Sequence, residues 1–313
     1  MAKRKTGTRE WSAYSQNLNR ILHKGAPSGD RLMRVESKAG GIGGTKLAKC
    51  SSWGGCVHDC RYCYARAALA GPGMFGRGHK IDWTDWADPR RHVLDVHEAV
   101  KPRRHRDGVT MFPTAHDIWP ALAGSAAELG HAYEQAGSPL LVVTKPHIEV
   151  VADLTHSWAS ANHRGLIAFR FTITTLDPDL MAYWEPCAPA LAERLDAARL
   201  AVGRGFKVSF SVEPLLDVET TPRLVALLHE VSPQGEIWVG AMRKASERVK
   251  VACEADSDAL SAIQADQTNG HLEDMVMKLA AAPPSLRRRV RWKDSIQQVM
   301  CFDDPRAVPG GHE

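Results

Sequence analysis

The stretch CVHDCRYCYAR (56–66) puts three cysteines into eight residues, with Tyr62 directly before the last of them. Thiolates are metal ligands, and a short loop that brings several sulfurs to one point is a metal-binding set. A closed zinc site takes four protein ligands, and only one CxxC knuckle is present, so zinc would need His58 or Cys50 as well. The other reading is a [4Fe–4S] cube on Cys56, Cys60 and Cys63, with one iron left open to a small molecule. The chain has seven cysteines, an odd number, and Cys50, Cys56, Cys60 and Cys63 fall within 14 residues. That distribution suits reduced thiols and argues against a disulfide framework. Cys187 reads as filler in a strand-to-helix connection, Cys253 and Cys301 lack metal spacing, and the role of Cys50 stays open.

The elements that must position this loop show in an alternation of β-branched runs and alanine-rich stretches, the pattern of βα units and a parallel sheet. Strands are predicted at GVTMFPT (108–114), LLVVTKP (140–146), LIAFRFTITT (166–175), KVSFSVEPL (207–215) and EIWVGAM (236–242). Helices are predicted at 121–137, from Ile148, at 188–205 and at 221–231, where Pro222 suits a first turn. A further strand near KLAKCSSW (46–53) makes six units. Right-handed crossovers would curl them into an incomplete (β/α)6 barrel with its functional groups at the C-terminal strand ends. The expected division is a basic N-terminal extension (1–45), the partial barrel (46–245) and a C-terminal helical appendage (246–313). KAGGIGG (38–44) lacks the Lys-Ser/Thr of a phosphate loop and is not read as one.

With these segments in place, CVHDCRYCYAR resembles the CxxxCxφC loop of the radical SAM superfamily, and the chain is most similar to its spore photoproduct lyase and DNA repair photolyase-like group. The resemblance runs through CYAR (63–66), VTKP (143–146), FRFTITT (169–175), WEPCAPALAERLDAARLAVGRGFKV (184–208) and FSVEPL (210–215), roughly residues 50–245. It implies a [4Fe–4S] cluster on Cys56, Cys60 and Cys63, and S-adenosylmethionine (SAM) on the open iron. Reductive cleavage of SAM would then release a 5′-deoxyadenosyl radical that abstracts hydrogen from substrate. It also implies that Tyr62 lies along the adenine with Tyr64 nearby, that Lys145 faces the methionine carboxylate, and that Thr172 hydrogen-bonds SAM. Asp117 matches an aspartate of the lyase, and His116 beside it is expected to point toward the cofactor. Thr114 stands where the lyase has a hydrogen-returning cysteine, and an O–H bond is too strong for that task, which separates this chain from the lyase reaction. Glu213 replaces an alanine. It reads as a general base or substrate anchor, or else as a carboxylate paired with Arg170, Lys145 or another cation.

The 313 residues are 44% hydrophobic with a net charge of +4, an ordinary globular composition. Residues 1–50 carry 11 Lys/Arg against 3 Asp/Glu, and KPRRHR (101–106) and LRRRVRWK (286–293) add two more basic clusters. These are either solvated surface or phosphate contacts. No apolar run approaches the ~18 residues of a membrane span and no apolar region follows the basic N-terminus, so a cytoplasmic protein without membrane contact is expected. The leading expectation is a radical SAM enzyme acting on a nucleic acid or nucleotide-like substrate, supplied with electrons by a flavodoxin or ferredoxin. Two alternatives are the same chemistry on a peptide or small metabolite, and a zinc-stabilised, non-catalytic nucleic-acid-binding protein.

Overall fold

The alternation seen in the sequence becomes a parallel sheet in the computed structural model of this chain, which describes residues 53–70, 86–88, 90–91, 109–113, 116–137 and 139–309. Two short strands, β1 (Trp53–Gly54) and β2 (Arg90–Arg91), pair antiparallel with each other. The main sheet contains β3 (Thr110–Phe112), β4 (Leu140–Thr144), β5 (Ile167–Thr172), β6 (Lys207–Val212), β7 (Ile237–Val239) and β8 (Val290–Trp292), in that spatial order. Every pairing in it is parallel. No pairing among the described residues joins β3 to β8, so this is the open α/β partial barrel that was expected.

One strand differs from expectation. Of the segment 46–53 only Trp53 lies within the described residues, and it belongs to the β1–β2 pair. The sixth strand of the sheet is instead Val290–Trp292, inside the basic cluster of the segment read as a helical appendage. Its alternation explains both the strand and its concealment. Val290 and Trp292 join the apolar core, while Arg291 between them is buried against Glu236, Nε to Oε1 at 3.0 Å. A strand this short with a charge at its centre has no legible period among neighbouring arginines.

The helices are α1 (Tyr64–Ala70), α2 (Ala123–Gln135), α3 (Ile148–Ser157), α4 (Ala161–Leu166), α5 (Pro178–Trp184), α6 (Leu191–Gly203), α7 (Thr221–Val231), α8 (Ala245–Arg248), α9 (Glu254–Asp266), α10 (Asn269–Ala280), α11 (Pro284–Arg287) and α12 (Asp294–Met300). Local chemistry sets several of their starts. Asp177 accepts from the amides of Asp179 (2.8 Å) and Leu180 (3.1 Å) ahead of α5, with Pro178 in the first turn. At Gly130 of α2 an added Cβ would lie 2.2 Å from the Trp158 indole, so only glycine admits that ring.

The period of two along the central strands divides the sheet into two faces. Phe169, Phe171, Phe210 and Val212 alternate onto the main core, each completely buried, and each such side chain contributes about 1.5–3 kcal/mol. The other face is polar. Arg170 Nε donates to Ser209 Oγ at 3.3 Å, and Thr172, Ser211, Trp238 and Arg291 follow one another in register across β5 to β8. The Arg170 guanidinium lies 4.9 Å from the centre of the Trp238 ring. Prolines follow β3, β4 and β6 at Pro113, Pro146 and Pro214, ending each strand where it reaches the rim.

Candidate functional site

The cysteine loop folds into two tight turns, with Asp59 N donating to Cys56 O (3.3 Å) and Cys63 N to Cys60 O (3.2 Å). Gly55, at φ 101°, supplies the left-handed turn that delivers Cys56, and Asp59 takes φ 48°, a region that Asp tolerates. Asp59 Oδ1 accepts from Arg66 Nη1 at 2.6 Å, which ties the loop to α1. On the far side, Arg61 N donates to Trp184 O (2.9 Å), and Arg61 Nη1 reaches Asp256 Oδ1 of α9 (2.9 Å). Cys56 and Cys60 are buried and Cys63 is half-buried. Burial pushes all three thiols up, so as free thiols they hold their protons.

The loop faces the C-terminal ends of β3 and β4. Asp117, after β3, donates its backbone N–H to Cys56 Sγ at 3.4 Å. Its carboxylate accepts from Lys145 N (2.7 Å) and pairs with Lys145 Nζ (3.3 Å) and His58 Nδ1 (3.0 Å). Burial by itself would raise the Asp117 carboxyl, but Lys145 and His58 override it and hold the group well below the usual carboxylate range. Lys145 is the mirror case, since burial would lower its ammonium and Asp117 holds it well above the ordinary value. His58, completely buried, makes a second bond from Nε2 to His147 Nε2 at 2.9 Å. His147 ends the β4–α3 turn, with Glu193 3.6 Å from its Nδ1.

Tyr62 is buried with its ring centre 5.6 Å from Lys145 Nζ, and its hydroxyl donates to Glu185. Glu185 also accepts from Thr174 Oγ1 (3.0 Å) and pairs with Arg194 Nη2 (2.5 Å), with both side chains inaccessible to solvent. Burial would raise Glu185, and Arg194 with Lys145 brings it down instead. Arg194 Nη1 donates to Thr172 O at 3.3 Å, so one buried ion pair supports both Tyr62 and the end of β5.

Around β6 to β8 the rim is more open. Glu213, after β6, pairs with Lys293 Nζ, after β8, at 3.3 Å, with side chains 33% and 23% exposed. Lys293 thus fills the place of the unnamed cation in the ion-pair reading of Glu213. Lys293 Nζ also lies 5.4 Å from the Trp238 ring centre. Tyr64, half-buried, has the Arg248 guanidinium 6.0 Å from its ring centre. Burial lowers the Arg248 pKa, and Glu213 is the main group opposing that.

The structure therefore brings together Cys56, Cys60, Cys63, Tyr62, Asp117 and Lys145, and sets Tyr64, Thr172 and Glu213 along the same rim. His116 turns elsewhere. Its ring meets Phe112 (6.3 Å) and Trp119 (5.7 Å) edge-on, while Nδ1 bonds Asp117 O at 2.7 Å. Burial lowers its pKa to about 4, so it is a neutral packing imidazole. Thr114, Cys50 and residues 101–106 lie outside the described residues. Sequence reasoning missed His147, Lys293, Arg248 and the Glu185–Arg194 pair, although Glu185 and Arg194 both fall within the segment WEPCAPALAERLDAARLAVGRGFKV.

Ligand atoms of Cys56, His58 and Asp117 lie within 4.8 Å of one another, which is close enough for a small ion. Both nitrogens of His58 are already engaged, one by Asp117 and one by His147, and each Asp117 oxygen already has a partner. The three thiols are the better donor set. Backbone N–H groups of His58 and Asp117 are directed at Cys56 Sγ, and those of Ala65 and Arg66 at Cys63 Sγ, the hydrogen bonds that cluster-bound sulfur accepts. A [4Fe–4S] cluster fits these residues.

No protein-family profile and no curated protein matches the chain. Among solved structures it is similar to a spore photoproduct lyase carrying a cysteine-to-serine mutation, with 20% identity, a TM-score of 0.46, and coverage of 67% of this chain and 58% of that one. It is also similar to SuiB of Streptococcus suis bound to its precursor peptide SuiA, with 14% identity, a TM-score of 0.48, and coverage of 82% and 53%. A second SuiB structure, bound to S-adenosylmethionine, gives 14% identity, a TM-score of 0.40, and coverage of 83% and 58%. The chain thus spans between half and three-fifths of the length of these proteins. What they bind belongs to them, and likenesses at this level decide nothing about chemistry here.

Proposed function

We propose that this chain is a radical SAM enzyme in which Cys56, Cys60 and Cys63 hold a [4Fe–4S] cluster, and that it acts on a nucleic acid or nucleotide-like substrate. The observation carrying the chemistry is the loop of three buried or half-buried thiols facing a pre-formed Asp117–Lys145–His58 network at the mouth of an open parallel barrel. When bound and reduced by a flavodoxin or ferredoxin, the cluster would supply the electron that cleaves SAM.

The chain's own groups then have distinct tasks. Asp117 fixes the Lys145 ammonium beside the loop, where it meets the SAM carboxylate as a point charge. Tyr62, held by Glu185, offers a flat face to the adenine. Tyr64 and the hydroxyl of Thr172 extend the cofactor side along the rim. Glu213, poised by Lys293 at the open side, anchors substrate or takes a proton from it. Arg243, Arg248 and Lys293 around Glu213 give this side a cationic surround that suits phosphates. No helix among the described residues is long and apolar enough to cross a membrane.

Anaerobic reconstitution tests the chemistry. A brown protein with about four irons per chain, forming 5′-deoxyadenosine under reduction, is the expected result. Cys60→Ala should abolish both properties, and unchanged cleavage in that variant refutes the assignment. A colourless protein with stoichiometric zinc would point to the binding-protein alternative. For the substrate, binding of single-stranded and duplex oligonucleotides should weaken steeply with salt, and a flat response or none turns the reading toward a peptide or small metabolite.

A further inference from the structure

At the N-terminal end of the sheet, away from the cysteine rim, a cavity of about 690 Å³ is lined by His229, Arg287, Arg288, Arg289, Arg291 and Arg306. These cations come from three separate segments: the end of α7, the stretch from α11 into β8, and the tail that follows α12. The tail is held there by Trp292 N donating to Pro305 O (2.8 Å) and Trp292 Nε1 to Ala307 O (2.9 Å). The volume is that of a small-molecule site.

The charge in this cavity is unbalanced. Arg291 is matched by Glu236 and Arg306 by Asp304. Arg287, Arg288 and Arg289 form no ion pair among the described residues. They are held instead by uncharged acceptors: Arg287 Nη1 by Ala280 O (3.3 Å), Arg288 Nε by Pro284 O (3.0 Å), and Arg289 by Gln234 O and Oε1 (3.2 and 2.5 Å). Each guanidinium has five N–H donors and spends one or two of them this way, so the forks are oriented with donors to spare. His229 adds a ring whose Nδ1 is buried without a hydrogen-bond partner among the described residues.

We propose that this cavity binds a compact phosphate-rich anion carrying two or more phosphate groups. Three oriented, unmatched guanidinium groups are the chemistry that recognises phosphate oxygens in bidentate pairs. They lie on one stretch, and the cavity they line is closed by His229 of α7 and Arg306 of the tail, an enclosure that fits a compact ligand better than a long strand. The lining named above holds no Phe, Tyr or Trp ring on which a base would stack, and base stacking is what single-stranded nucleic acid takes from a protein. The site is separate from the cysteine rim, so it stands whether or not the proposed radical chemistry does.

The test is calorimetric titration of the full-length protein with inorganic tripolyphosphate at low salt, alongside orthophosphate and a 20-nucleotide single strand. Saturable one-to-one binding of tripolyphosphate, tighter than orthophosphate, is expected. It should weaken by about tenfold in Arg288→Gln and again in Arg289→Gln, the scale of one charge-assisted contact. Arg288 is exposed and braces only Pro284 O, so that variant should keep the wild-type melting temperature and any SAM cleavage. No saturable binding, or equal binding by wild type and both variants, overturns the proposal. An oligonucleotide that displaces tripolyphosphate and binds more tightly per phosphate overturns it in favour of a nucleic-acid face.

Discussion

Around β3 to β5 the rim buries its charges and matches each one, Asp117 with Lys145 and His58, Glu185 with Arg194. Around β6 to β8 the charges are half-exposed, and Glu213 meets Lys293 in a pair that water also reaches. A buried ion pair costs desolvation and stabilises only when its partners are complete, whereas an exposed pair contributes little and rearranges freely. The first half is thus built to hold one arrangement, which suits the cofactor side of the proposed function. The second half is built to adapt, which suits its substrate side.

Removing one member of the buried set breaks this contrast most strongly. Arg194→Met leaves the buried Glu185 without its ion-pair partner, keeping only the Tyr62 and Thr174 hydroxyls in contact, and should lose about 3–5 kcal/mol in a urea melt. Loss near 1 kcal/mol would mean that the cofactor half is as tolerant as the other. The same network should depend on pH. The folded pKa of Glu185 lies below its unfolded value, so its contribution is present above about pH 5 and is lost as pH falls through the folded value. The stability gap between wild type and Glu185→Gln should accordingly be flat from pH 5 to 8 and shrink in acid.

On the open half, Glu213→Gln should shift stability by under about 1 kcal/mol yet reduce substrate turnover at least tenfold, with SAM cleavage in the absence of substrate unchanged. Turnover equal to wild type would remove Glu213 from the reaction. Gly240→Ala tests the same pair through its neighbour. The added Cβ would lie 2.9 Å from Lys293 Cβ and Cγ, atoms fixed close to the backbone, and 3.1 Å from Glu213 Oε1, so stability in a urea melt should fall by about 1–3 kcal/mol while the Glu213–Lys293 pair is pushed apart.

Much of this was legible because β4 is an apolar run, because β5 and β6 alternate apolar with polar residues, and because cysteine spacing states its own chemistry. The helix at Thr221–Val231 falls where the sequence puts it. What stayed hidden depended on partners far along the chain. Arg291 looked like one more surface arginine until Glu236, 55 residues away, came to face it. Glu185 and Arg194 read as ordinary polar residues, and only the fold removes both from water. His116 and Asp117 are neighbours in sequence, but one ring packs against Phe112 and Trp119 while the other side chain meets Lys145 at the rim.

The span of the contacts around the cysteine loop also sets the order of events in biosynthesis. His58 waits for Asp117, 59 residues on, and for His147, 89 on, while Tyr62 waits for Glu185 at 123 and Arg61 for Asp256 at 195. Contacts this distant close late, after the local helices and the neighbouring strand pairs. During synthesis the three thiols therefore stay uncovered until the segments carrying Asp117, His147, Glu185 and Asp256 have followed them. Under the proposed function, a cluster is best inserted once those partners have closed over the loop.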